Sequence, residues 1–235
     1  MITSSSPVHP LLTPLQGGLI VSCQAYPGEP MRDSRTMAQV AASVEVGGAL
    51  AVRAQGTDDI AAVKAAVDVP VIGIWKDGDE GVFITPTLAH ARAVLEAGAD
   101  VLALDGTTRP RPDGLDLVTT VQAIREDYGD VPIMADCDSV NSALEALDAG
   151  VDLIGTTLAG YTGARPQTIG PDLPFIGELI AALPTGTPIA AEGRVHTPDQ
   201  AREVIDCGAF CVVVGTAITH PTTIAKWFAD AAQVK

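Results

Sequence analysis

Eight short apolar runs punctuate the chain, separated by polar, helix-patterned stretches: Gly18–Ser22, Ala49–Val52, Val69–Trp75, Val101–Leu104, Val131–Ala135, Val151–Ile154, Pro188–Ala191 and Phe210–Val214. Each is too short for a buried helix. Each is also continuous rather than alternating, the pattern of a parallel strand covered on both faces. The intervening stretches predict helices over Ser34–Glu45, Thr57–Val67, Thr87–Ala97, Asp116–Asp127, Ser139–Asp148 and Leu173–Leu183. A further helix follows Thr197, with Pro198 at its first position and Gly208 just past its end, and a closing helix carries Trp227. Thr57 reads as the cap of its helix, with Asp58 and Asp59 at the positive end. The endings AGAD, AGVD and CGAF repeat one device, a glycine that stops the helix so that the next strand begins at once.

Strand and helix thus alternate eight times, which predicts an α/β fold: a single (β/α)8 TIM barrel spanning residues 17–235. Residues 1–16, rich in proline, serine and threonine, read as a mobile lead or a short capping helix. A doubly wound open sheet is the alternative. It would leave the terminal strands as edges, yet FCVVVG is as apolar as any run. The loops after the last two strands, Glu192-Gly193-Arg194 and Gly215-Thr216-Ala217, bring glycine and hydroxyl groups to adjacent strand ends. In such barrels this is the usual seat of a phosphate, because bare backbone N–H groups approach it closely. The expected barrel is therefore of the phosphate-binding type.

Composition narrows the classes. The core draws on a 47% hydrophobic fraction with only 4% aromatics, so it is built of Ala, Val, Leu and Ile. A formal net charge of −15 argues against nucleic acid as a partner, since phosphate backbones are held by surplus Lys and Arg. Cys23, Cys137, Cys207 and Cys211 lack any C-x-x-C spacing and read as buried free thiols of a cytoplasmic protein. No apolar segment is long enough to predict a membrane span, and MITSSSPVHP has neither the basic nor the apolar region of a secretion signal. His9, His90, His196 and His220 show no metal-ligand spacing, so no metal site is expected.

The residues at the C-terminal strand ends are Gln24, Arg53, Lys76, Asp105, Asp136, Thr156, Glu192 and Gly215, mostly polar, whereas the opposite ends are mostly apolar or glycine. That asymmetry locates the active end of the barrel. Lys76 is one of only four lysines. At a barrel mouth it can lose its proton through desolvation or a cationic neighbour such as Arg53, and so act as a base or an imine-forming amine. The bland alternative is a solvated lysine kept charged by the acidic loop KDGDEG. Glu192 suits acid–base work or a salt bridge with an arginine. Arg53 cannot lie alone in an apolar strand, so it meets solvent, an anionic ligand, or Asp105 or Asp136. Gln24 suits hydroxyl or amide recognition or is a satisfied core amide. Thr156, Thr157 and Tyr161 either bind substrate or close the sixth loop.

The segments GGLIVSCQA, RAQG, PVIGIWK, FITPT, ALDGT, MADCDS, TTLAGYT, AEGRVHTP and VVVGTAIT run in order through almost the whole chain beyond residue 16. In them the sequence resembles the N-acylglucosamine-6-phosphate 2-epimerase family, also called N-acetylmannosamine-6-phosphate 2-epimerases. The resemblance implies a cofactor-independent interconversion of N-acetylmannosamine 6-phosphate and N-acetylglucosamine 6-phosphate by proton exchange at C2, in sialic acid and amino-sugar catabolism. It implies catalytic roles for Lys76 and Glu192. It implies substrate contacts from Gln24, Arg53, Asp136, Asp105, Thr157 and Tyr161, and phosphate-binding backbone at Gly193, Arg194, Gly215 and Thr216. It also raises the expectation of a homodimer acting on a small amino sugar phosphate. IWKDGDEG replaces the longer basic loop that often follows the lysine in that family. From the residues alone, a lyase or synthase using Lys76 as an imine-forming amine, and a non-catalytic sugar-phosphate sensor, stay open.

Overall fold

The computed structural model describes residues 8–233. Eight parallel strands close on themselves in chain order: β1 (Leu19–Cys23), β2 (Ala51–Gln55), β3 (Val71–Ile74), β4 (Val101–Asp105), β5 (Ile133–Asp136), β6 (Leu153–Gly155), β7 (Ile189–Glu192) and β8 (Cys211–Val214). β1 pairs with β8 through Leu19–Val212, Ile20–Val213 and Val21–Val214, so no edge remains and the open-sheet alternative is excluded. The helices between them are α1 (Ser34–Val46), α2 (Thr57–Lys64), α3 (Leu88–Glu96), α4 (Leu117–Tyr128), α5 (Val140–Asp148), α6 (Leu173–Ala182) and α7 (Pro198–Asp206). After β8 come α8 (Thr216–Thr219) and α9 (Pro221–Ala232).

Local chemistry explains most helix starts. Asp33, Thr87, Asp116, Ser139, Asp172 and Thr197 each accept a hydrogen bond from a backbone N–H of the first helical turn. The expected Thr57 cap is corrected: Thr57 is already helical, and Gly56 holds the cap position at φ +80°. The short α8 has no counterpart among the expected helices, because four residues hold no periodicity.

Alternation along the strands sorts the side chains into two populations. Ile20, Ala51, Ile72, Ile74, Val101, Ala103, Met134, Leu153, Ala190, Cys211 and Val213 fill the barrel interior. Their neighbours, such as Val52, Leu102, Ile133 and Ile154, pack outward under the helices. At the N-terminal end, Leu12 precedes and Leu15 ends a 3-10 turn (Thr13–Leu15), and both join the interior cluster essentially fully buried. All four cysteines are free; Cys23, Cys137 and Cys211 are buried, whereas Cys207 is half-exposed. No helix among the described residues is long and apolar enough to cross a membrane.

Leu15→Ala removes a buried side chain from this N-terminal plug, and such truncations cost about 3 kcal/mol. In a chain of this size the midpoint of thermal unfolding is expected to fall by roughly 6–12 °C. A change below ~2 °C in a calorimetric scan would show that the segment does not hold the barrel's floor.

Candidate active site

The inward-facing residues at the C-terminal strand ends gather around one buried cation. Arg53 stands in the middle of β2, and its side chain is 1% exposed. A guanidinium there persists only if its charge is matched. Nη2 pairs with the Asp136 carboxylate from β5, and Nη1 with Glu192 Oε2 from β7. Burial opposes the Arg53 charge, but the Asp136 and Glu192 carboxylates outweigh it and raise its pKa. The placement corrects the expected strand limits: β2 continues through Arg53 to Gln55, and Asp105, Asp136 and Glu192 are strand residues rather than loop residues.

Thr157, just past β6, links the two acids. Its Oγ1 lies 2.6 Å from Asp136 Oδ1, 2.9 Å from Glu192 Oε2 and 3.3 Å from Arg53 Nη1. Thr156 faces elsewhere and closes the barrel locally. Its hydroxyl donates to the Glu192 carbonyl at 2.8 Å and accepts from the Glu192 N–H at 2.9 Å. Gly155 occupies the inward position between β5 and β7. A Cβ there would lie 2.5 Å from Met134 Cε, 3.0 Å from Asp136 Oδ1 and 3.2 Å from Thr157 Oγ1, so a side chain would shift the flexible Met134 tip and crowd the two polar atoms.

Lys76 follows β3 at the base of a small hairpin. Trp75 donates to Thr85 Oγ1 at 3.1 Å and accepts from Thr85 N–H at 2.7 Å, while Asp77 N–H reaches the Phe83 carbonyl at 3.0 Å. Thr85 adopts φ +46°, unfavourable for a β-branched residue, and its hydroxyl is fixed by a 2.7 Å bond to the Ala103 carbonyl. Of the loop acids, Asp77 turns to His90, 3.3 Å away. Burial and then the Arg53 cation lower the Lys76 pKa, against the opposing pull of Glu192 and Asp136. Burial raises the Glu192 pKa; Arg53 opposes the shift and Asp136 adds to it. An amine pushed toward neutrality and a carboxyl pushed toward protonation therefore share one site.

Both line a cavity of about 280 Å³, together with Gln24, Arg53, Thr157 and Tyr161. Gln24 Nε2 donates to Ser22 Oγ at 2.8 Å, leaving Oε1 buried with no hydrogen-bond partner among the described residues. One flank of the cavity is Gly193, Arg194, Gly215 and Thr216. Gly193 and Arg194 take φ +113° and +58°, and among the described residues the N–H groups of all four donate to no carbonyl in the turns and loops. The Arg194 side chain turns away from this flank. It donates to Thr168 Oγ1, the Gly170 carbonyl and the Ala159 carbonyl at 3.0–3.2 Å, and its guanidinium lies 5.3 Å from the Tyr161 ring centre.

Two residues expected at the substrate do not line the cavity. Asp136 is fully buried behind Arg53, with Arg53 and Thr157 on its two oxygens, so it acts on the cavity only through them. Asp105 shares its register but does not reach the cavity. Its carboxylate is held by Thr107 N–H and Oγ1 at 2.9 and 2.6 Å and by Arg109 at 2.7 Å. The wall residues that escaped the sequence reading include Ser22, Tyr26 and His220. Tyr26 continues the inward alternation Ser22, Gln24, Tyr26, a usable signal, and its ring lies 5.4 Å from Lys76 Nζ. His220 enters through the unforeseen α8 turn and pairs with Glu29.

A family model described as "Putative N-acetylmannosamine-6-phosphate epimerase" matches residues 37–234. Two relatives are each named "Putative N-acetylmannosamine-6-phosphate 2-epimerase". The one from Cutibacterium acnes is 62% identical over 221 residues, 94% of this chain and 96% of its own. The one from Caldanaerobacter subterraneus subsp. tengcongensis is 44% identical over 220 residues, 93% of this chain and 92% of its own. The solved N-acetylmannosamine-6-phosphate 2-epimerase from Clostridium perfringens superposes with a TM-score of 0.89 at 37% identity, covering 97% of this chain and 99% of that one. With the family model spanning most of its length, the chain belongs to the N-acetylmannosamine-6-phosphate epimerase family.

Proposed function

We propose that the protein interconverts N-acetylmannosamine 6-phosphate and N-acetylglucosamine 6-phosphate by moving the C2 proton, a step in amino-sugar catabolism. One observation carries the mechanism: Lys76 and Glu192 line the same cavity with their pKa values pushed toward each other. The C2 hydrogen of the open-chain sugar is acidified by the neighbouring C1 aldehyde, because its removal gives a conjugated enediolate. One of the pair takes that proton while the other delivers a proton to the opposite face, inverting C2. Arg53, already fixed between two carboxylates, orients the hydroxyls and stabilises charge developing on oxygen. The free N–H groups at Gly193, Arg194, Gly215 and Thr216 suit the 6-phosphate, and the unpartnered Gln24 Oε1 suits a sugar hydroxyl or the amide N–H.

Four free cysteines support a reducing compartment, the cytoplasm. A homodimer is supported by α9, which has no buried residue and leaves Phe228 74% exposed. Sedimentation at micromolar concentration should give twice the chain mass; a single-chain mass would remove the dimer.

Incubation with N-acetylmannosamine 6-phosphate in D2O should yield the gluco epimer carrying deuterium at C2 by proton NMR. Lys76→Ala and Glu192→Gln should each slow that exchange by about 10²–10⁴-fold. Wild-type exchange in either variant would sink the assignment. The profile of kcat/KM should be a narrowed bell. Its acid limb should lie above the ordinary carboxylate value of 4.5, because the Glu192 pKa is raised. Its alkaline limb should lie below the lysine value of 10.5, because the Lys76 pKa is lowered. Limbs at the ordinary values would mean that other groups carry the proton.

A further inference from the structure

Thr157 has one hydroxyl proton and more oxygen neighbours than that proton can serve. Its Oγ1 is within hydrogen-bond reach of two carboxylates, Asp136 Oδ1 at 2.6 Å and Glu192 Oε2 at 2.9 Å, while Arg53 Nη1 at 3.3 Å can only donate to it. If the hydroxyl donates to Asp136, the contact with Glu192 holds a hydrogen only when Glu192 supplies it. If it donates to Glu192, the 2.6 Å contact with Asp136 is left without one. The other groups cannot relieve this competition: Arg53 brings donors only, and each acid already receives an arginine N–H on the oxygen that faces it.

From this count we propose that Thr157 is a positioning residue whose single hydrogen bond passes between Glu192 and Asp136 as Glu192 unloads and loads the C2 proton. The inference rests on the reading of Glu192 as one of the two proton-exchanging groups. With Glu192 ionised, the hydroxyl donates to it and holds Oε2 toward Arg53. When Glu192 takes the proton from carbon, the C–H bond breaks and an O–H bond forms on Oε2, the C2–H electron pair stays on the substrate as the enediolate, and the Thr157 hydroxyl rotates to Asp136. In that state Thr157 is the acceptor for a Glu192 hydroxyl on Oε2. The carboxyl is thus hydrogen-bonded in both states without moving from the cavity wall. Gly155 is part of the same device, since any Cβ there would sit 3.2 Å from the hydroxyl that has to turn.

The test pairs Thr157→Val, which keeps the shape and removes the hydroxyl, with Thr157→Ser, which keeps the hydroxyl and removes a methyl. The Glu192 side-chain carboxyl is followed directly by ¹³C NMR titration, its signal assigned by its absence in Glu192→Gln. The Thr157 bond to the ionised carboxylate is stronger than that to the protonated carboxyl, and the difference between them is worth about one unit in the titration midpoint. Thr157→Val should therefore titrate about one pH unit above wild type, with the acid limb of kcat/KM moving by the same amount. Thr157→Ser should titrate as wild type. If Thr157 only fills space, valine will behave as wild type and serine will be the impaired variant, and the proposal falls. It falls equally if neither variant moves the titration. The titration reads Thr157 without turnover. Retention of the wild-type acid limb by Glu192→Gln would instead overturn the catalytic reading of Glu192 while leaving the titration result standing.

Discussion

A positive charge sealed inside a barrel of small aliphatic side chains is the constraint from which the rest of the site follows. The Arg53 side chain is only 1% exposed where it borders the cavity, so two carboxylates from strands three and five places further round must reach it. One of them, Asp136, is wholly committed to that task. The other, Glu192, is 15% exposed and divides itself between Arg53 and the cavity. This division makes Glu192 chemically ambiguous. Burial and Asp136 favour its protonated form, Arg53 its ionised form, and the net effect raises its pKa. The same buried cation depresses the Lys76 pKa after burial has begun to do so. Burial therefore brings the proton affinities of the two cavity-lining groups closer together, while the arginine lowers both.

Closure of the sheet turns these pairings into geometry. Inward alternation aims every second residue at the axis, so residues distant in sequence converge without any loop having to carry them. Rigidity comes from beneath and beside: the Leu12 and Leu15 plug, the Thr156 clasp between β6 and β7, and the hairpin anchored by Thr85 below Lys76. The loops add the rim, where the Arg194 side chain braces the long β6–α6 connection and sets Tyr161 at the mouth.

The architecture was legible because covered parallel strands are unbroken apolar runs, and eight of them are hard to mistake. Their ends were less legible. Arg53, Asp105, Asp136 and Glu192 look like terminators, yet they are strand residues, because the upper part of the barrel interior is itself polar. Strict alternation from Met134 would have marked Asp136 as inward, and from Leu153 it would have preferred Thr157 to Thr156. Alternation alone would also have admitted Asp105, which the structure withholds. Its capture by Arg109 depends on the path of the β4–α4 loop, and no periodicity encodes that path. The α8 turn and His220 were invisible for a related reason: four residues are too few to show a helical repeat.

Gly155 shows how such a site can depend on an atom that is missing. The cluster's most confined position belongs to a residue with no functional group, flanked by Met134, Asp136 and Thr157. A side chain there would crowd Asp136 and Thr157, although the glycine itself has no group that could move a proton. An alanine codon lies one nucleotide away from a glycine codon. A frequent and chemically mild accident would therefore press on Asp136 and Thr157 while leaving every charged side chain of the cluster present. Part of what this chain must transmit from copy to copy is the shape of a gap.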